Sequence, residues 1–168
     1  MAVKERGNML EYASENLKND REIVISAINS CEVALEFASE ELKNDREVVL
    51  EAINSSNGEA LEIASEELKN DREIVLKAVN LNGRALEFAS EKLKNDREIV
   101  LKAVSQYGDG VCDCEALAFA SEELKNDREI VLAAVKSNMV LQYVSEELKN
   151  DREIVLTAVK RDRHCSEF

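Results

Sequence analysis

The chain has no proline, no tryptophan and one histidine, His164, close to its end. At ordinary usage 168 residues would carry about eight prolines, so the residue that interrupts helices is missing throughout. Without a second histidine, the recurring serines Ser14, Ser39, Ser65, Ser90, Ser121 and Ser145 lack an imidazole base, which argues against a serine nucleophile. Positive charge is scarce as well: 22 Lys and Arg face 35 Asp and Glu, a net charge of −13. Affinity for phosphate backbones comes from clustered Lys and Arg, so this balance argues against a nucleic-acid partner.

Long apolar runs are also missing. No stretch approaches the ~18 residues that a membrane span needs. The start, M-A-V-K-E-R-G-N, has no hydrophobic signal core. Four cysteines are too few for a disulfide framework in a chain of this length. Together these features make a cytoplasmic location the default expectation, and a processed organellar chain would read the same way. Aliphatic residues remain plentiful, which separates the chain from disordered acidic sequences.

What is present is repetition. The string L-K-N-D-R-E occurs six times, with aspartates at Asp20, Asp45, Asp71, Asp96, Asp127 and Asp151. The intervals between them are 25, 26, 25, 31 and 24 residues. Within one unit, Leu86, Ala89 and Leu93 fall at i, i+3 and i+7, and Ile99, Val100, Ala103 and Val104 at i, i+1, i+4 and i+5. Both are helical periods. Each unit therefore reads as two short helices, at roughly 8–29, 33–54, 59–80, 84–105, 115–136 and 139–160, with an insertion at 106–114 and a polar tail at 161–168.

Local punctuation agrees with this division. In N-D-R-E, either Asn95 or Asp96 can cap the second helix, and with Asn95 as cap Glu98 would complete a capping box. Gly7, Gly58 and Gly83 stand thirteen residues before their aspartates, where a left-handed residue would end the preceding helix. Asn138 holds this slot in the sixth unit. Glu32 and Cys114 do not suit it, so less regular turns are expected before the second and fifth units. Ser90 and its counterparts either cap a separate turn or bond back within one helix, and the reading leans toward a break.

Helices this short cannot bury their apolar faces alone, but stacked pairs can. The expected fold is all-α, an α-solenoid of six two-helix repeats extending roughly 50–60 Å at 8–10 Å per packed helix. Leu61, Leu86 and Leu117 share one slot and should be buried between units. The aromatics Tyr12, Phe37, Phe88, Phe119 and Tyr143 share another and are also expected in the core. The tail from Arg161 is polar enough to cap the stack. The start has no matching cap, so apolar surface near Met9 and Tyr12 should be exposed and open to end-to-end stacking.

The motif A-L-x-x-A-S-x-x-L-K-N-D-x-E-[IV]-V-L-x-A-V resembles an uncharacterised short helical-repeat family, a domain of unknown function from unicellular eukaryotes and large DNA viruses. The resemblance spans Met9 to Lys160 and implies a helical-repeat fold. It implies no activity. The longer connector before the fifth unit, with its C-D-C, departs from the pattern.

Candidate sites are few. The L-K-N-D-R-E ladder reads chiefly as helix caps plus ion pairs from an arginine of one unit to a carboxylate of the next. Its alternative is a row of identical polar turns gripping a periodic basic partner. Cys112 and Cys114 are the metal candidates, but C-x-C alone is half of a zinc site, and His164-Cys165 lie about two units away. Cys31 and Cys112 sit three units apart, beyond the ~7 Å that a disulfide spans. No pair of carboxylates is marked out for acid–base work, and neither a cofactor nor an enzymatic activity is expected.

The expected function is a non-catalytic scaffold or protein-interaction module. Partner-contact candidates are Tyr107, Asp109, Asp113 and Glu115, on the largest and most individual connector. The alternatives are an accessory structural subunit of a larger assembly and a metal- or redox-responsive module built on the Cys112/Cys114 loop.

Overall fold

The structure, a computed structural model, describes residues 7–31, 33–105, 115–136 and 141–165, with side chains described between Met9 and Lys160. Every described element is helical. Contacts between elements run within a unit or between adjacent units, so the six units stack in a single layer. This is the α-solenoid expected from the repeat.

Each unit has its first helix broken in two. In the second unit a 3-10 turn, Ala34–Phe37, precedes a one-turn helix, Glu40–Lys43, and then the longer helix Arg46–Ser55. The third unit repeats this as Glu59–Glu62, Glu66–Lys69 and Arg72–Leu81. The fifth and sixth units tighten the middle piece to 3-10 turns, Leu124–Asn126 and Leu148–Asn150. The break falls at the serine. Ala38 and Ser39 are extended, with ψ of 161° and 156°, and the Ser39 hydroxyl oxygen accepts the Leu42 amide at 3.3 Å. Of the two roles open to this serine, capping a new turn is the one adopted.

The second boundary assigns Asn and Asp to different helices. Asn44 closes the one-turn helix as its C-cap, and Asp45 opens the longer one as its N-cap. One Asp45 oxygen accepts the amides of Glu47 and Val48 at 2.9 and 3.0 Å. Asn95 likewise C-caps the preceding turn, and Asp96 opens the helix that follows. Glu98 therefore stands at the second helical position, and the capping box drawn from Asn95 does not form.

The β-branched pair that follows each cap explains how one helix serves two neighbours. The first member is fully buried at Val48, Ile74, Ile99, Ile130 and Ile154, yet its counterpart Ile23 in the first unit is 38% exposed. The second member is fully buried at Val24, Val49, Val75, Val100 and Val131, and loses full cover only at Val155. The first thus faces the preceding unit and the second the following one. Leu61, Leu86 and Leu117 are fully buried, as expected.

Three expectations change. Among the described glycines only Gly58 is left-handed, with φ of 93°, paired with Asn57 at φ 52°. Gly83 instead begins a 3-10 turn that crosses its own unit's long helix, where a Cβ would stand 2.3 Å from the Ala103 carbonyl oxygen. Close approach, not handedness, requires glycine there. The aromatic slot is a half-buried rim at Phe37, Phe88, Phe119 and Tyr143, while Tyr12 is 77% exposed. Finally, the apolar surface at the far end is not fully covered among the described residues, and the side chains of the polar tail from Arg161 lie outside them. The last helix spans Arg152–Cys165, with Leu156 and Val159 exposed. The turns expected at Glu32, Cys114 and Asn138 lie outside the described residues.

Candidate functional site

The ladder is the feature that most resembles a site, and the structure assigns each of its residues a task at a junction. Asparagine works first. Its side-chain oxygen accepts the hydroxyl of the next unit's serine, at 2.8 Å from Ser90 to Asn70 and 2.6 Å from Ser145 to Asn126. Its amide nitrogen donates to the next unit's glutamate, at 3.0 Å from Asn19 to Glu41 and 3.1 Å from Asn44 to Glu67. Beside this bridge the serine backbone amide donates to the preceding unit's lysine carbonyl, at 2.9 Å from Ser90 to Lys69 and 3.0 Å from Ser121 to Lys94. Thus the serine that caps its own turn also holds the unit before it.

Aspartate divides its two oxygens. In Asp96, Oδ1 accepts the amides of Glu98 and Ile99 at 3.0 and 3.2 Å, while Oδ2 accepts Nε of Arg72 at 3.0 Å. The same arginine also donates to Glu98, so one guanidinium clamps two carboxylates of the next unit. Arg97 repeats the arrangement on Asp127 and Glu129, and Arg128 on Asp151 and Glu153. Arg21 and Arg46 reach the matching pairs, Asp45 with Glu47 and Asp71 with Glu73. All five junctions are therefore clamped in one direction along the chain.

Electrostatics follow this geometry. Burial alone would raise the Asp96 carboxyl, but the Ile99 amide, the Arg72 guanidinium and the Glu98 amide outweigh it and hold it below the ordinary carboxylate value. In Asp127 burial is again opposed, chiefly by Arg97 and the Ile130 amide, and the carboxyl is lowered. In Asp151 the Arg128 hydrogen bond leads, helped by the Ile154 amide. These aspartates are ionised and fully engaged, so the ladder is a latch between units rather than a row of open acidic hands.

Of the partner-contact candidates, only Glu115 is described. It is exposed, and one of its oxygens lies 4.0 Å from the Arg84 guanidinium of the preceding unit. Tyr107, Asp109 and Asp113, with the metal candidates Cys112 and Cys114, lie outside the described residues. Among the described residues no group of three or more His, Cys, Asp or Glu is placed to hold a metal ion, and no buried side-chain polar atom lacks a partner. No described helix is long and apolar enough to cross a membrane.

Sequence reasoning anticipated the arginine–carboxylate pairs but missed the Asn–Ser–Glu bridge. Its signal was present: serine six residues before each aspartate, and asparagine just before the aspartate, recur together in every unit. It also missed the open apolar face at Leu156 and Val159, because a polar tail was expected to cover it.

A single layer of helical units, each bonded only to its neighbours, defines an α-solenoid repeat protein. The profile of the family described as domain of unknown function DUF4116 matches residues 1–33, 20–69, 47–91, 71–110, 112–139 and 136–168. The chain belongs to that family as a run of six tandem repeats. No curated protein and no solved structure matches it.

Proposed function

We propose that the array is a scaffold that binds other proteins through its connector edge. The observation that carries this reading is the division of labour between residues that recur and residues that differ. The recurring polar residues are engaged in holding units together, so they are poor candidates for telling one partner from another. The differing residues concentrate in the connectors, and the longest of these, 106–115, carries Tyr107, Asp109, Asp113 and Glu115. Loops on a rigid scaffold are where binding residues commonly sit.

The test replaces 106–111 with an Asn-Gly connector and measures capture of partners from the native source, followed by binding of the purified partner. Reduced binding with an unchanged helical spectrum supports the reading. Undiminished binding that is instead abolished by Gln at Glu40, Glu66 and Glu91, which are 88–90% exposed, moves the contact to the acidic edge.

A second reading has its own observation. Apolar side chains are exposed at both ends of the stack, Met9 and Tyr12 at one and Leu156 and Val159 at the other. This favours an accessory subunit held in a larger assembly through its end faces.

A further inference from the structure

The two end faces are the two halves of the junction that the array makes five times internally. Leu42, Leu68, Leu93 and Leu124 are buried, but their first-unit counterpart Leu17 is 44% exposed. Ile23 stands open where the equivalent residue is otherwise fully buried, and Met9 is 62% exposed where Ala34, Ala60, Ala85 and Ala116 are covered. These three residues line an open hollow of about 380 Å³ together with Ala27. At the far end, Val159 is 53% exposed, although Ile28, Ile53, Val79, Val104 and Val135 in the same slot are buried.

The polar rim is divided in the same way. Asp20 caps its own helix through the amides of Glu22 and Ile23 but meets no arginine, and Glu22 has no side-chain partner among the described residues. Ser14 makes no capping bond, unlike Ser39, Ser65 and Ser90, whose hydroxyls are also bonded to the asparagine of the preceding unit. At the other end, Arg152 clamps no carboxylate among the described residues, and Asn150 turns its amide back onto the Glu146 carbonyl at 3.2 Å. One face thus carries the carboxylate half of the clamp and the other its arginine half, each beside its apolar half.

We propose that a second copy of this chain docks head to tail on these faces, Arg152 of one copy clamping Asp20 and Glu22 of the next while Leu156 and Val159 enter the hollow beside Ile23. The inference deepens the second reading above by naming the occupant. It needs no new recognition chemistry, because every contact has an internal precedent with matching side chains. Met9 is larger than the alanine it replaces, and a flexible thioether can move aside. Such an interface joins two different faces, so each added copy presents a fresh end and growth continues past the dimer.

The experiment uses the full chain in about 150 mM salt, where repulsion between copies of charge −13 is screened over ~8 Å. Sedimentation velocity across a concentration series should show species that grow beyond two copies. Val159→Asp, Ile23→Asp and Arg152→Glu should each remove every species above the monomer, with helical circular dichroism unchanged. All three positions are exposed, so the fold does not depend on them. Mixing Val159→Asp with Ile23→Asp is the decisive arm, because each variant keeps the face that the other has lost. The mixture should form a one-to-one dimer and stop there. A wild-type chain that stays monomeric overturns the proposal, as do association that ends at a symmetric dimer, variants that associate like wild type and a mixture that remains monomeric. Partner binding by the connector, measured on the monomeric Val159→Asp chain, reports separately on the first reading.

Discussion

At every junction an apolar interior and a polar rim lie side by side, and both recur almost unchanged along the chain. The interior is dry: Leu86, Ile99 and Val100 have no exposed surface. The rim is wet, with Arg46, Arg72, Arg97 and Arg128 at 41–50% side-chain exposure. Equal recurrence therefore does not mean equal energy. Burial supplies the attraction between units, whereas water and salt screen the clamps. The rim offers geometry instead, since bonds reaching about one repeat ahead can be satisfied in only one register.

Experiments that separate the two regions should give effects in descending order. Leu86→Ala removes a fully buried side chain and should cost about 2–5 kcal/mol in denaturant unfolding, destabilising both adjoining units. Gly83→Ala forces a methyl against the Ala103 carbonyl and should cost about 1–3 kcal/mol, although it adds apolar volume. Asp71→Ala removes a cap and a clamp acceptor together and should cost about 1 kcal/mol. Asp71→Asn keeps an oxygen for the amides of Glu73 and Ile74, so it should recover most of that loss. Arg97→Ala should shift the midpoint least, and a shift matching that of Leu86→Ala would move the weight of the junction to its rim.

Acid gives a further comparison. The folded carboxyls of Asp96, Asp127 and Asp151 lie below their usual value, and that of an unfolded aspartate is about 3.9. A depressed folded value means that their stabilisation is complete above about pH 4 and is lost as pH falls through the folded values. Melting temperature followed from pH 6 to pH 2 should therefore hold in the upper part of this range and fall in the lower part. Carboxyl titration by NMR should place these three aspartates below free aspartate.

The stack itself was legible because each unit has the same apolar period and is too short to bury it alone. The direction in which each side chain points was less so. Ile99 and Val100 read as one buried pair, and only the contrast between Ile23 and Val155 at the ends shows that they serve opposite neighbours. Asn95 and Asp96 both qualify as caps by type, and the choice between them depends on the turn that Asn95 must close first. Gly83 was legible as a required glycine, but for the wrong reason, since a contact with Ala103 twenty residues away leaves no mark in local sequence. Tyr12 and Phe88 occupy the same slot, yet Tyr12 is exposed while Phe88, packed beside Glu59 and Glu62 of the preceding unit, is half-buried.

The one-way clamp also bears on how such a chain changes length. Each junction presents the same polar groups forward and the same partners backward, so any unit can follow any other. Excising 71–95, which would join Asn70 directly to Asp96, restores L-K-N-D-R-E at the seam and brings Arg46 opposite a carboxylate pair equivalent to the one it has lost. Unequal crossing-over between repeats would then produce shorter or longer proteins that already fold, with copy number free to drift and the connectors left to record which unit is which.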